Sequence, residues 1–145
     1  MSIGAVEVTR TGRRVVRRKS KIAGAGFGVF AAQAFTKNMR IVDYAGEIIS
    51  PSKSDWREHR YQKHGMIWCF TVNRRKVRDG NKGGNIARFI NHSCKPNCYS
   101  RVIGDTVWIC AGRNIKKGEE LSYDYNTGGE AGIKCHCKPG CKNFI

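Results

Sequence analysis

The sequence predicts one mainly β domain with few short helices. Its 145 residues are the size of a single domain that can bury a core without metal ions. Segments rich in β-branched and aromatic residues are short, and turn residues separate them roughly every 8–12 positions. Only residues 53–63 have the pattern of a helix, for which Ser52 or Ser54 would be the cap. These features favour a β-rich domain without repeats.

The strands are predicted in order from the N-terminus. Residues 1–12 are interpreted as a basic tail, and residues 13–19 as the transition from that tail into a first edge strand. Pro51 should end the strand before the helix, and the Gly104-Asp105 pair is a strong hairpin signal. The remaining strands are predicted at residues 29–31, 40–44, 47–49, 66–72, 76–78, 99–103, 106–111 and, as a strand or a helical turn, 121–125.

The charge of the chain is strongly positive, at +16 from 27 Lys and Arg against 11 Asp and Glu. This excess is larger than solubility requires and favours a polyanionic neighbour such as nucleic acid. The weakly polar run at residues 22–35 is too short and too rich in glycine to span a bilayer, and no signal peptide is recognisable. We therefore expect an intracellular protein that contacts nucleic acid or a nucleosome and no membrane.

The cysteines indicate a metal site. The chain has seven, an odd number that argues against a framework of disulfides alone. Cys135, Cys137 and Cys141 lie within seven residues and suit a tetrahedral zinc ion, although free or oxidised thiols are the alternative. A fourth ligand must come from elsewhere. The candidates are His136, Cys94, Cys98, Cys69 and Cys110.

Three further segments carry polar or aromatic groups that catalysis could use. Taken alone, the Gly-Phe-Gly sequence at residues 26–28 predicts only a tight turn. Tyr123 and Tyr125 alone predict the aromatic face of a strand. Residues 88–98 are harder to attribute to packing, because they gather Asn, His, Ser and two Cys around a proline.

The order of these motifs resembles that of SET-domain protein lysine methyltransferases. The matching segments are residues 26–30 (GFGVF), 44–47 (YAGE), 88–94 (RFINHSC) and 120–125 (ELSYDY). The Cys-x-Cys-x3-Cys tail resembles the post-SET zinc motif, one residue shorter than its common form. The resemblance covers about residues 14–145, is closest to trithorax-type members, and also suits a short stand-alone bacterial-type member.

The resemblance implies a SET domain (a β-clip fold) at residues 13–126 and a post-SET zinc segment at residues 127–145. A C-terminal pseudoknot should bring residues 91–92 against residues 123–125. Cofactor and peptide should enter from opposite faces and meet through a narrow channel.

The resemblance also implies two bound groups, S-adenosylmethionine and one zinc ion. The expected cofactor-binding residues are Ala25, Gly26, Phe27, Trp68, Asn91, His92, Phe144 and Ile145. The first three should contact the methionine part through their backbone, and Asn91 and His92 the amino group and the adenine. Phe144 or Ile145 should cover the adenine. The expected zinc ligands are Cys94, Cys135, Cys137 and Cys141.

The expected catalytic residues are tyrosines. By the same resemblance, Tyr125 should orient the lysine amine and the methyl group, Tyr44 should line the channel, and Tyr123 should match the family position that sets product degree. We therefore expect mainly mono- or dimethylation of a histone or another basic, DNA-associated protein. The setting would be the nucleus or chromatin of a eukaryote or host, or a prokaryotic cytoplasm or nucleoid. The alternative function is a catalytically silent, basic zinc-binding module on DNA or chromatin.

The acidic residues suggest where a basic peptide would bind. Five of the 11 acidic residues flank the motifs above. We therefore expect an acidic groove on an otherwise basic surface. These acids are Asp43, Glu47, Glu119, Glu120 and Asp124.

Overall fold

The computed structural model describes residues 4–145 and confirms the mainly β prediction. The strands are β1 (Val6–Val8), β2 (Arg14–Lys19), β3 (Phe27–Ala31), β4 (Arg40–Asp43), β5 (Glu47–Ile49), β6 (Cys69–Thr71), β7 (Val77–Asp79), β8 (Asn91–His92), β9 (Cys98–Ile103), β10 (Thr106–Ala111) and β11 (Ser122–Tyr123). The helices are α1 (Pro51–Gln62) and a short 3₁₀ helix (Ile86–Phe89). Within residues 4–145, no helix has the length and apolar character needed to cross a bilayer.

The strands form four small sheets. Three are antiparallel and have the orders β1-β2-β3, β4-β10-β9 and β5-β7-β6, whereas β8 and β11 pair in parallel. Apolar side chains from the first two sheets and from their connections share one core. Its fully buried members include Val15, Val29, Phe35, Ile41, Val107, Ile109, Ile115 and Leu121.

The segment interpreted as a basic tail contains a strand. β1 pairs with β2, with Val6 opposite Val16 and Val8 opposite Arg14. All three residues of β1 are exposed, and the Val-Glu-Val alternation is too short to distinguish a strand from a tail in the sequence. The tail interpretation is therefore wrong for Val6–Val8, which backbone pairing with β2 orders as a strand. Residues 1–3 of the predicted tail lie outside the described residues.

Helix α1 begins earlier than predicted. Ser50, rather than Ser52 or Ser54, is the cap, and its hydroxyl accepts a hydrogen bond from the backbone N–H of Lys53 at 3.2 Å. Pro51 ends the preceding strand as expected and also starts the helix. Proline suits the first helical turn because its missing N–H would have no helical partner there.

The parallel pair β8–β11 joins two motifs that lie far apart in the sequence. Asn91 lies opposite Ser122, and His92 lies opposite Tyr123. The pair therefore sets the Asn-His-Ser-Cys segment directly beside the Tyr-Asp-Tyr segment, as the pseudoknot expectation requires. No local pattern in either segment specifies this pairing, because parallel strands need a long connection between them.

Candidate active site

Two cavities meet at one tyrosine. The first has a volume of about 410 Å³ and lies between the turn at residues 22–27, the segment 65–68 and the C-terminal residue Ile145. The second, of about 530 Å³, lies beside β6 and the segment 126–131. Ile67 and Tyr125 line both cavities, so the two cavities adjoin at these residues.

The first cavity gathers most of the expected cofactor-binding residues. Those that line it are Ala25, Gly26, Phe27, Trp68, Asn91, His92 and Ile145. Its wall is aromatic and cationic: the Trp68 and Phe89 rings are 6.3 Å apart edge to face, and the Arg88 guanidinium lies 4.6 Å from the Phe89 ring. An apolar pocket with a few charged groups is typical of a small-molecule site.

Phe144 is the exception. It is 56% exposed and lies in a different cleft, whereas Ile145 lines the first cavity. Phe144 forms a bridge with Lys134, and the N–H of Ile145 donates to the carbonyl of Ile133 at 2.7 Å. Successive side chains of an extended segment point to opposite faces, so only one of these two can face the cavity.

The turn over the first cavity is fixed by Glu120. Its carboxylate accepts hydrogen bonds from the Ser20 hydroxyl at 2.6 Å and from the Lys21 N–H at 2.8 Å. A Cβ added to Gly28 would lie 2.3 Å from that carboxylate, so only glycine allows this approach. The amide of Asn91 donates to the Phe27 carbonyl at 2.9 Å, which joins the turn to β8.

His92 connects the cavity to the cysteines. Its Nδ1 accepts a hydrogen bond from the Tyr125 N–H at 3.0 Å, so this nitrogen carries no proton. Burial lowers the pKa of His92, against the opposing effect of Asp124, and favours the neutral ring. Its Nε2 lies 3.7 Å from the Cys94 sulfur. Both ring nitrogens therefore have partners within the protein.

Three tyrosines surround the entrance from the second cavity. The Tyr125 hydroxyl donates to the Ile90 carbonyl at 2.5 Å, and the Tyr44 hydroxyl donates to the Trp68 carbonyl at 2.6 Å. The Tyr123 ring lies 4.9 Å from that of Tyr125, and within residues 4–145 its hydroxyl has no hydrogen-bond partner. Burial raises the pKa of all three phenols, so they stay protonated at neutral pH.

Four cysteine sulfurs form one cluster. Those of Cys94, Cys135, Cys137 and Cys141 lie within 4.8 Å of one another, and Cys94 is 3.7 Å from Cys135. Tetrahedral zinc–sulfur bonds of about 2.3 Å place sulfurs about 3.8 Å apart, so this set fits such an ion. Although burial opposes it, hydrogen bonds from the Cys94 backbone and the neighbouring thiols lower the pKa of Cys137 to about 7.

The structure also selects the fourth member of the cysteine cluster. Cys94 joins the three C-terminal cysteines, whereas His136 lines the first cavity. Cys69, by contrast, lines the second cavity. Cys98 and Cys110 are buried elsewhere in the strands β9 and β10. Cysteine spacing alone did not separate these alternatives, because ligand distance depends on the tertiary fold, whereas the family resemblance pointed to the same four cysteines that the structure groups.

The acids of the expected acidic groove do not surround the second cavity. None of its five proposed acids lines the second cavity. Glu47 pairs with Arg57 at 2.9 Å and Glu119 with Arg113 at 2.9 Å, so both carboxylates already have cationic partners. Glu130 is instead the acid that lines the second cavity, whose wall contains no Lys or Arg. Nothing in the local sequence around Glu130 signalled this.

Comparison with known families identifies the fold. Residues 26–126 match the family model described as the SET domain. The chain belongs to the SET-domain family. The motif-based resemblance and the SET fold are thereby confirmed, and the two cavities and the β8–β11 pair are features of this SET domain.

Curated relatives of this SET domain are trithorax-type histone methyltransferases. The H3 lysine-4-specific histone-lysine N-methyltransferase of Schizosaccharomyces pombe is 41% identical over 126 residues, covering 81% of this chain. The histone-lysine N-methyltransferase TRX1 of Oryza sativa subsp. japonica is 39% identical over 142 residues, covering 92%. This chain spans 14% of the length of each of these relatives.

Solved structures share the same fold. The Polycomb Repressive Complex 2 of Chaetomium thermophilum matches with a TM-score of 0.71 and 30% identity, covering 79% of this chain and 16% of that one. A structure described as ctPRC2 in an autoinhibited conformation bound to S-adenosylmethionine matches with a TM-score of 0.72 and 30% identity. It covers 79% of this chain and 15% of the other.

Proposed function

We propose that this SET domain transfers a methyl group from S-adenosylmethionine to a lysine of a histone or another basic, DNA-associated protein. The observation that carries the proposal is the meeting of two cavities at Tyr125 and Ile67. A donor in one cavity and a lysine in the other would meet there, and a two-substrate reaction needs such an arrangement. Relatives named as histone-lysine N-methyltransferases support the same reaction.

The first cavity is the proposed site for S-adenosylmethionine. When bound, this group supplies an electrophilic methyl carbon on a positively charged sulfur. Arg88 and Lys134 line the cavity and suit its carboxylate, while Trp68 and Ile145 offer apolar surface for its adenine. A structural relative described as bound to S-adenosylmethionine supports this assignment.

The second cavity is the proposed site for the substrate lysine. Tyr44, Tyr123 and Tyr125 line it, and Glu130 gives its wall one negative charge that favours a cationic side chain. The lysine amine must be neutral to attack, and burial among aromatic rings lowers a lysine pKa from its usual value of about 10.4. The residues here therefore act by aligning and desolvating the amine, without a dedicated base.

We propose mono- or dimethylation as the main outcome. The free hydroxyl of Tyr123 beside Tyr125 can accept a hydrogen bond from the amine, or hold a water, and so limits the room for further methyl groups. One relative, from Arabidopsis thaliana, is named an H3-lysine(4) N-trimethyltransferase, so trimethylation by the wild-type chain is the competing outcome.

We propose that Cys94, Cys135, Cys137 and Cys141 hold one zinc ion. A closed set of four sulfurs is typical of a structural zinc site rather than a catalytic one. The ion would tie the C-terminal segment, including Ile145, to the strand β8 that lines the first cavity.

Charge supports a nucleic-acid contact in chromatin. A cleft of about 580 Å³ beside the β1-β2-β3 sheet carries Arg14, Arg18 and Lys117 and no acidic side chain. We propose that this basic cleft binds a phosphate backbone next to the protein substrate. Such a contact would place the protein in the nucleus or at the nucleoid.

The test is transfer of a labelled methyl group to a panel of core histones, ribosomal proteins and bacterial DNA-binding proteins. We expect label on lysine, and its loss in Tyr125→Phe, which removes the hydroxyl at the meeting point of the cavities. No binding of S-adenosylmethionine by zinc-loaded protein would overturn the proposal in favour of a silent zinc-binding module.

A further inference from the structure

The wall between the two cavities is a single short segment. Ile67 lines both cavities, Trp68 lines the first, and Cys69 lines the second. The backbone of this segment also fixes Tyr44. The Trp68 carbonyl accepts hydrogen bonds from the Tyr44 hydroxyl at 2.6 Å and from the Gly80 N–H at 2.8 Å. A shift of this segment would therefore alter both cavities and Tyr44 together.

One carboxylate holds this wall in place. Oε1 of Glu58, on helix α1, accepts hydrogen bonds from the N–H groups of Trp68 and Cys69, each at 2.9 Å. These two consecutive N–H groups lie where the cavity-lining segment turns into β6. A carboxylate that accepts two backbone N–H groups makes strong, charge-assisted bonds.

Helix α1 is itself positioned by polar contacts. Only Ser54 and Arg57 are buried among its residues. Arg57 contacts Asp79 at 2.8 Å, and the Tyr61 hydroxyl donates to the same carboxylate at 2.7 Å. Asp79 is fully buried, so these bonds fix the helix, and with it Glu58, relative to the sheet that contains β6.

We propose that Glu58 is a positioning residue for methyl transfer, which sets the wall between the cavities and thereby the orientation of the Tyr44 hydroxyl. This inference rests on the proposed function. Glu58 lines neither cavity, so it acts through the residues bound to its carboxylate. Oε1 holds Trp68 and Cys69, and Oε2 accepts a longer bond of 3.4 Å from Gln62, which lines the second cavity. A displacement of about 1 Å in such supporting structure can cost about a hundredfold in rate.

Two substitutions of Glu58 separate the effect of side-chain length from the effect of its negative charge. Glu58→Gln keeps the length and the acceptor oxygen but removes the charge, whereas Glu58→Asp keeps the charge but is one methylene too short to reach both N–H groups. We expect Glu58→Gln to stay within about threefold of wild-type kcat/KM and Glu58→Asp to lose about tenfold or more. Asp55→Asn, at an exposed position on the same helix, is the matched control and should change nothing.

Substrate and cofactor binding distinguish a positioning role of Glu58 from a loss of folding. Because the wall faces both cavities, Glu58→Asp should raise KM for peptide and weaken S-adenosylmethionine binding, measured by calorimetry, while thermal unfolding shows a folded domain. Equal activity of Glu58→Asp and wild type would overturn the inference, as would a loss in Glu58→Gln with none in Glu58→Asp. Absence of methyl transfer by the wild type would instead overturn the proposed function.

Discussion

At the scale of residues, the three tyrosines at the second cavity differ in what their hydroxyls contact. Those of Tyr44 and Tyr125 are bound to backbone carbonyls, whereas that of Tyr123 has no protein partner in the described chain. Tyr123 is therefore the hydroxyl that is free to bind a substrate amine or a water.

Removing the Tyr123 hydroxyl should change the products more than the fold. Tyr123→Phe takes away no hydrogen bond of the native protein and leaves space near the amine, so we expect a shift toward di- and trimethylated lysine. Mass spectrometry of a methylated peptide over time measures this. An unchanged product distribution would count against a role of Tyr123 in product degree.

Activity should rise with pH without a loss caused by the tyrosines. The substrate lysine loses its proton as pH rises, while burial holds the pKa of Tyr44, Tyr123 and Tyr125 above the usual value of about 10. Because their folded-state pKa is raised, the stability they contribute is full below about pH 10 and declines above it. A pH profile of kcat/KM and urea unfolding at two alkaline pH values measure these effects. A falling limb well below pH 10 at constant fold would contradict this.

At the scale of elements, strand β8 lies between two sites. His92 in β8 accepts a hydrogen bond from the Tyr125 N–H, and its other ring nitrogen lies 3.7 Å from the Cys94 sulfur. A change in the position of Cys94 would therefore alter the position of Tyr125 through the His92 side chain. Residues next to a metal ligand often orient that ligand, and His92 is placed to do so for Cys94.

Removal of the metal should therefore affect binding and stability together. We expect one zinc per chain, and we expect a strong chelator to lower the melting temperature and to abolish S-adenosylmethionine binding. Elemental analysis, thermal unfolding and calorimetry measure these three effects. Cys94→Ser should reproduce them, while Cys110→Ser, at a buried cysteine outside the cluster, should retain the metal. Full S-adenosylmethionine binding by the metal-free protein would oppose this coupling.

Helix α1 shows why an element's existence is easier to predict than its limits. Residues 53–63 were predicted, and Pro51–Gln62 form the helix, because the cap is chosen by Ser50 and Pro51 rather than by the two later serines. The strand predicted at residues 66–72 is only Cys69–Thr71 in the structure. Residues 66–68 line the first cavity instead of pairing, which no propensity indicates.

At the scale of the whole molecule, charge is distributed unevenly over the surface. The chain carries +16, yet the second cavity contains no Lys or Arg, while the basic cleft of Arg14, Arg18 and Lys117 contains no acid. A lysine substrate and a polyanion would therefore be attracted to different surfaces of one domain.

Charge removal from the basic cleft should weaken nucleosome methylation and spare peptide methylation. For Arg14→Gln/Arg18→Gln we expect a lower rate on nucleosomes. The slope of the logarithm of the binding constant against the logarithm of salt concentration should become shallower by the amount expected for about two lost phosphate contacts. Arg74→Gln/Arg75→Gln, which removes the same charge from an exposed turn, is the control. Equal effects of both pairs, or an equal loss on free peptide, would argue against a specific role of the cleft.

The sequence by itself determined the β-rich class, the one α-helix of residues 4–145, the family and most of the residues at the first cavity. It did so because strand propensity, turn residues and ordered motifs are local properties of the chain. The SET and post-SET boundary at residues 126–127 stays a prediction. Cysteine spacing alone left the fourth ligand open and the family resemblance pointed to Cys94. The structure brings the Cys94 sulfur within 3.7 Å of the Cys135 sulfur, a distance that depends on contacts between remote segments.

Only the tertiary structure decided the remaining members of each site. It put Ile145 rather than Phe144 at the first cavity, Glu130 rather than the five motif-flanking acids at the second, and Glu58 behind the wall between them. These choices depend on side-chain direction and on contacts between segments tens of residues apart. A local pattern does not encode such contacts, because they are selected by the packing and hydrogen bonding of the whole domain.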